Sequence, residues 1–133
     1  MKLSDHFDTD VDTGLVCQCG CGMGTRAEHW QPGVAELIEA IRARVGPLHV
    51  DSGYRCPRYN AAKAISERSQ HSIGAAVDLA CPAGIDYETF YAGCCATVAS
   101  VTGGQGGCGK YPTQRFVHVD RGIGELPGRR WTA

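Results

Sequence analysis

Two short apolar runs limit what this chain can fold into, because each carries one ionisable residue in its middle. Ala75 to Ala80 reads Ala-Ala-Val-Asp-Leu-Ala, and Phe116 to Val119 reads Phe-Val-His-Val. Both have the length and bounding turn residues of buried strands. A carboxylate buried on such a strand is costly unless it is paired or binds a metal. The fold must therefore bring partners to Asp78. His71 stands seven residues before it, across a turn expected at Gly74. That spacing lets a loop histidine swing back beside the strand carboxylate, and His118 can arrive from a neighbouring strand. Two imidazoles and one carboxylate leave a fourth tetrahedral position for water, which is the ligand count of a catalytic zinc rather than a structural one.

The remaining pattern points to an α+β domain with helices packed on a small antiparallel sheet. Val34, Leu37, Ile38, Ile41 and Val45 recur at helical spacing, so a helix is expected over about 33–45, opened by Pro32 and stopped by Gly46-Pro47. Leu48 to Val50 reads as a strand, and the Ala-rich stretch from Asn60 to Glu67 as a short helix. Asp86 is placed to cap a helix running to about Val101. The stretch from Gly103 to Gly109 holds five glycines and is expected to be a loop or an irregular strand. Residues 1–30 read as an irregular N-terminal arm whose acidic residues form a solvated loop. No repeat or linker divides the 133 residues, so one domain is expected.

Composition removes several function classes. A net charge of −1 gives no basic face for nucleic acid. No apolar run is long enough for a membrane span. The first residues lack the apolar core of a signal peptide, so synthesis in the cytoplasm and export by another route are expected. A monomer is expected. Eight cysteines are many for this length, but without a signal peptide a disulfide scaffold is not the default reading. Cys17-Gln18-Cys19-Gly20-Cys21 can be a structural metal site or reduced thiols packed in a loop. Its spacing is tighter than the usual zinc pair, which also has a second pair downstream. Cys94 and Cys95, adjacent on an expected helix, cannot both face the core squarely. Cys108, in the glycine-rich stretch, is a conceivable extra zinc ligand.

Further residues complete a pattern. Ser52-Gly53-Tyr54-Arg55 and Asn60 precede Ser69-Gln70-His71, with Gly74 and Asp78 behind; Gly109-Lys110-Tyr111-Pro112 and Phe116-Val117-His118-Val119-Asp120 follow. In this order they resemble the zinc D-Ala-D-Ala carboxypeptidase family over roughly residues 3–131. Phage endolysin peptidases are among its relatives, and its wider fold is shared with lysostaphin-type peptidases and the hedgehog signalling domain. The resemblance implies zinc held by His71, Asp78 and His118, with Arg55 binding a substrate carboxylate or carbonyl. It implies hydrolysis of a peptide bond in peptidoglycan stem peptides, by a carboxypeptidase or endopeptidase, and the size suits an endolysin released through a phage pore.

One departure bears on mechanism. Several relatives carry an acidic residue three positions before the last histidine, or a histidine two before it. Arg115 and Phe116 occupy those positions here. The nearest carboxylate is Asp120, on the same strand face as His118. It is expected either to act as the catalytic base or to orient His118 from behind. Asp51 can pair with Arg55. The absent acid also leaves open a non-catalytic zinc module that binds cell wall or a protein partner.

Overall fold

The computed structural model describes residues 1–63, 65 and 69–133. Helix α1 spans Val34–Val45 and turns Val34, Leu37, Ile38 and Ile41 into the core. It starts two residues beyond Pro32, because Gly33 caps it in the left-handed region with φ 85°. Strand β1 covers Val50–Ser52, slightly later than the expected Leu48 to Val50. Helix α2, Pro57–Ala62, begins before the expected Asn60, because Pro57 sits in its first turn and Cys56 caps it. The part of that expectation over Ala64, Ser66 and Glu67 lies outside the described residues. Strand β2 is Ala76–Ala80, α3 is Tyr87–Val101, β3 is Cys108–Tyr111, β4 is Phe116–Asp120 and β5 is Arg130–Thr132. Asp86 caps α3 as expected, accepting from the Thr89 amide at 3.1 Å.

The sheet order is β1-β2-β4-β3-β5. The first four strands pair antiparallel, as the sequence suggests. The fifth corrects that reading: β5 pairs parallel to β3, so the sheet is mixed. Its segment, Arg-Trp-Thr, is too short and too polar to announce itself as a strand.

The pleat divides the sheet between two tasks. Val77, Leu79, Val117, Val119 and Cys108 join the core with side chains of α1 and α3. Cys108 is paired opposite Val119, not His118, so it belongs to the core face and is no ligand beside the histidines. Cys94 is fully buried while Cys95 is only partly so, so the two do not both face the core squarely. The other face carries Asp78 and His118 directly opposite one another on β2 and β4. The N-terminal arm is irregular, but it is packed: Phe7, Leu15, Cys17 and Trp30 are buried in the core. Among the described residues, no helix is long and apolar enough to cross a membrane.

Candidate metal centre

The register of β2 and β4 brings Asp78 and His118 together. A short 3₁₀ turn, Gln70–Ile73, delivers His71 to the same place. Several motif residues build that turn. The Arg55 amide donates to the His71 carbonyl at 3.2 Å, and the Tyr54 hydroxyl donates to the Ser72 carbonyl at 2.8 Å. Buried Asn60 donates to Ser69 at 3.3 Å. The Gln70 side-chain amide bonds both the carbonyl and the amide of Ile123, each at 2.9 Å, tying the following loop to the turn.

The hydrogen bonds fix which ring nitrogens are bare. His71 Nδ1 lies 2.7 Å from the Gly53 carbonyl. A carbonyl only accepts, so Nδ1 carries the hydrogen and Nε2 presents a lone pair. His118 Nε2 lies 2.6 Å from Asp120 Oδ2 and donates to it, leaving Nδ1 bare. The bare atoms converge with Asp78 Oδ1. His71 Nε2 is 3.1 Å from Asp78 Oδ1 and 3.1 Å from His118 Nδ1, and His118 Nδ1 is 3.0 Å from Asp78 Oδ1. Three ligand atoms thus face one another, and only a proton or a cation can sit between them. A proton can bridge one pair; a divalent cation satisfies all three. Zinc at about 2.0–2.1 Å from nitrogen and oxygen ligands needs ligand atoms roughly 3.3 Å apart, close to what these residues provide.

The electrostatics agree. Burial opposes a charge on His118, but Asp120 and Asp78 on its two sides outweigh it and push the imidazole up to about 9. Burial pushes His71 down, against the pull of Asp78. Burial alone would raise Asp78, yet His71 and His118 hold it far below the usual carboxylate range. The centre is built to hold positive charge between its three ligand atoms.

Asp120 is fully buried and faces the far side of His118. Besides the imidazole it accepts from the Gly107 amide at 2.9 Å and from Arg129 at 2.6 Å. Of the two sequence expectations for Asp120, this is the geometry of the orienting one. Arg55 Nη1 stands 3.4 Å from Asp78 Oδ2, so its ion-pair partner is Asp78 and not Asp51. Asp51 sits beside His49 at 3.5 Å instead. Arg115 is exposed in the β3–β4 turn and reaches Cys81, away from the centre. His6, His29 and His49 bond elsewhere, to Glu39, the Gly24 amide and Asp51.

The centre lies in a cleft of about 260 Å³ whose lining includes Arg55, His118, Tyr111, Trp131, Arg129 and Glu125. Gly109, opposite His118, makes room for one wall: a Cβ there would overlap the Trp131 indole. That indole lies 5.0 Å from the His118 ring and donates to the Tyr111 hydroxyl at 3.0 Å. Tyr111 and Trp131 together form that wall. Arg129 and Glu125 carry no sequence signal; only the folding back of β5 and its preceding loop puts them beside a centre built far upstream.

A buried trio of two histidines and one aspartate, opening on a cleft of a small α+β sheet, defines a candidate mononuclear metal centre of the hydrolase type. Residues 8–120 match the family model described as Peptidase M15. The chain therefore belongs to the M15 peptidases, a zinc peptidase family, in keeping with the resemblance carried by its motifs. No curated protein and no solved structure matches it.

Proposed function

We propose that the protein is a zinc-dependent peptidase acting on the stem peptides of bacterial peptidoglycan. The observation that carries this reading is the convergence of three bare acceptor atoms, from His71, Asp78 and His118, in a chain of the M15 family. Those residues would hold the ion, and zinc held there supplies an acidified water and a polarised carbonyl. Gly53 and Asp120 keep the two imidazoles in the tautomers that the ion requires. Arg55 and Arg129 line the cleft and favour a substrate with a carboxylate or polarised carbonyl. Tyr111 and Trp131 offer flat apolar surface to the peptide. Asp120 is tied by three donors, so it positions His118. Glu125, on the cleft rim, has no ion pair among the described residues and is the carboxylate better suited to carry a proton.

The fit of this function to a phage or prophage lysin rests on the family to which the chain belongs. Purified peptidoglycan and synthetic stem peptides ending in D-Ala-D-Ala test it. Hydrolysis should stop with chelator and return with zinc, and mass spectrometry of the products separates terminal trimming from internal cleavage. Binding to peptidoglycan with no product at any zinc concentration would replace this reading with the non-catalytic one.

Arg55→Lys keeps the charge but loses the planar fork. Hydrogen bonds to charged groups contribute about 1.5–3 kcal/mol, so kcat/KM should fall roughly tenfold to a hundredfold. Zinc content should stay unchanged, as read by metal analysis. An unchanged rate would leave Arg55 as a partner of Asp78 only.

A further inference from the structure

Four cysteine sulfurs meet at a second place, where the N-terminal arm joins the segment that carries Arg55. The sulfurs of Cys17, Cys19, Cys21 and Cys56 all lie within 4.8 Å of one another. Cys17 and Cys19 are 3.4 Å apart, and Cys19 and Cys56 are 3.6 Å apart. A tetrahedral zinc with sulfurs at about 2.3 Å places them roughly 3.8 Å from each other, so the cluster needs only a small adjustment to close on an ion. We infer that Cys17, Cys19, Cys21 and Cys56 form a structural tetrathiolate zinc site, separate from the His71, Asp78 and His118 centre.

The surrounding backbone is arranged for sulfur ligands. The Cys56 amide points at Cys17 Sγ at 3.4 Å, and the Tyr59 amide at Cys56 Sγ at 3.3 Å. Amides aimed at sulfur favour the thiolate that a metal requires. Gly20 and Gly22 take left-handed conformations, with φ 81° and 85°, and let three alternate cysteines of one tight loop converge. The second ligand segment expected of a zinc site is thus a single cysteine, Cys56, from 35 residues downstream of Cys21. Cys19 and Cys21 are exposed, which gives an ion a path in, while Cys17 is buried against the core. Four thiol ligands in a tetrahedron select zinc over calcium or magnesium, and a closed set leaves no open position for chemistry.

The site has a consequence for the other centre. Cys56 directly follows Arg55 and caps α2, and the Tyr54 amide bonds the Leu15 carbonyl at 2.8 Å. An ion held by the four cysteines would clamp the arm to residues 52–56, the strip whose Gly53 carbonyl orients His71 and whose Arg55 faces Asp78. Metal binding there is folding energy for that strip.

The test uses protein purified under reducing, metal-replete conditions. The wild type should hold about two zinc ions, and a His71→Ala/His118→Ala variant about one. X-ray absorption of that variant should show sulfur neighbours alone, at about 2.3 Å. Cys19→Ser and Cys56→Ser in the same background should each lower the zinc content towards zero. If the double-histidine variant does not fold, the wild type gives the same answer: thiol-blocking mercurial should release one zinc and leave the other. Four freely titrating thiols with no bound zinc, disulfides among these cysteines in anaerobically prepared protein, or bound iron in place of zinc would each overturn the assignment. A wild type that holds the sulfur-bound ion and takes up no ion at the histidines would leave this site standing while removing the peptidase reading.

Discussion

A His118→Ala variant should lose both its catalytic zinc and its activity, and His71→Ala should do the same. Each change removes one of three protein ligands and leaves Asp78 buried without one of its three partners, His71, His118 and Arg55. A metal contributes several kcal/mol of charge stabilisation to hydrolysis, and each 1.36 kcal/mol is about tenfold in rate. A fall on the order of 10³-fold or more is therefore expected, measured on stem peptides with zinc supplied at saturating and at trace levels. Circular dichroism should show the fold retained, since the valine face of the sheet is untouched. Full zinc affinity at this centre in both variants would remove the central claim.

Asp120→Asn should produce the second-largest effect, and through the metal. Asp120 accepts from three donors at once: the His118 imidazole, the Gly107 amide and Arg129. Asparagine keeps the shape but replaces one acceptor oxygen with a donor amide, so at least one of these donors must face another donor. Residues that orient a metal-bound histidine typically contribute about 10–100-fold in metal affinity or activity. Zinc affinity should therefore fall by that range, and excess zinc should restore much of the rate. A general base would behave differently, with zinc affinity unchanged and turnover reduced by about 10²–10⁴-fold. Glu125→Gln is the comparison in the same assay, and its expected pattern is the second one. If Asp120→Asn shows loss of turnover at unchanged zinc affinity, Asp120 is the base.

The two roles differ because of what the strand pleat does and does not specify. Alternation placed Asp120 on the face of His118, and that much was readable from Phe-Val-His-Val-Asp. Which side of the imidazole the carboxylate meets depends on the ring's rotation, set by Asp78 opposite it on β2 and by Arg129 and Gly107 behind it. Those partners come from distant segments. The same holds for Arg55, whose position in Ser-Gly-Tyr-Arg marks it as functional without saying that Asp78 rather than Asp51 would lie beside it.

Local pattern by itself determined a good deal. The 3.6-residue stripe on α1, the Asp86 cap of α3 and the apolar runs of β2 and β4 are short-range features, fixed by backbone geometry and burial within a few residues. The convergence of His71, Asp78 and His118 was legible for a related reason: an ionisable residue in an apolar strand demands a partner, and two such strands with a nearby loop histidine supply each other. Only the tertiary structure decided the rest. The edge strand β5 is polar and three residues long, and it exists because β3 offers it a ladder; with it come Trp131 and Arg129. Cys56 joins three cysteines from the arm because Leu15 and Tyr54 pack and bond the two segments together, a contact between residues far apart in the chain. Local sequence carries the cost of burying a charge, but the identity of the group that offsets it is settled by which distant segments the core draws together.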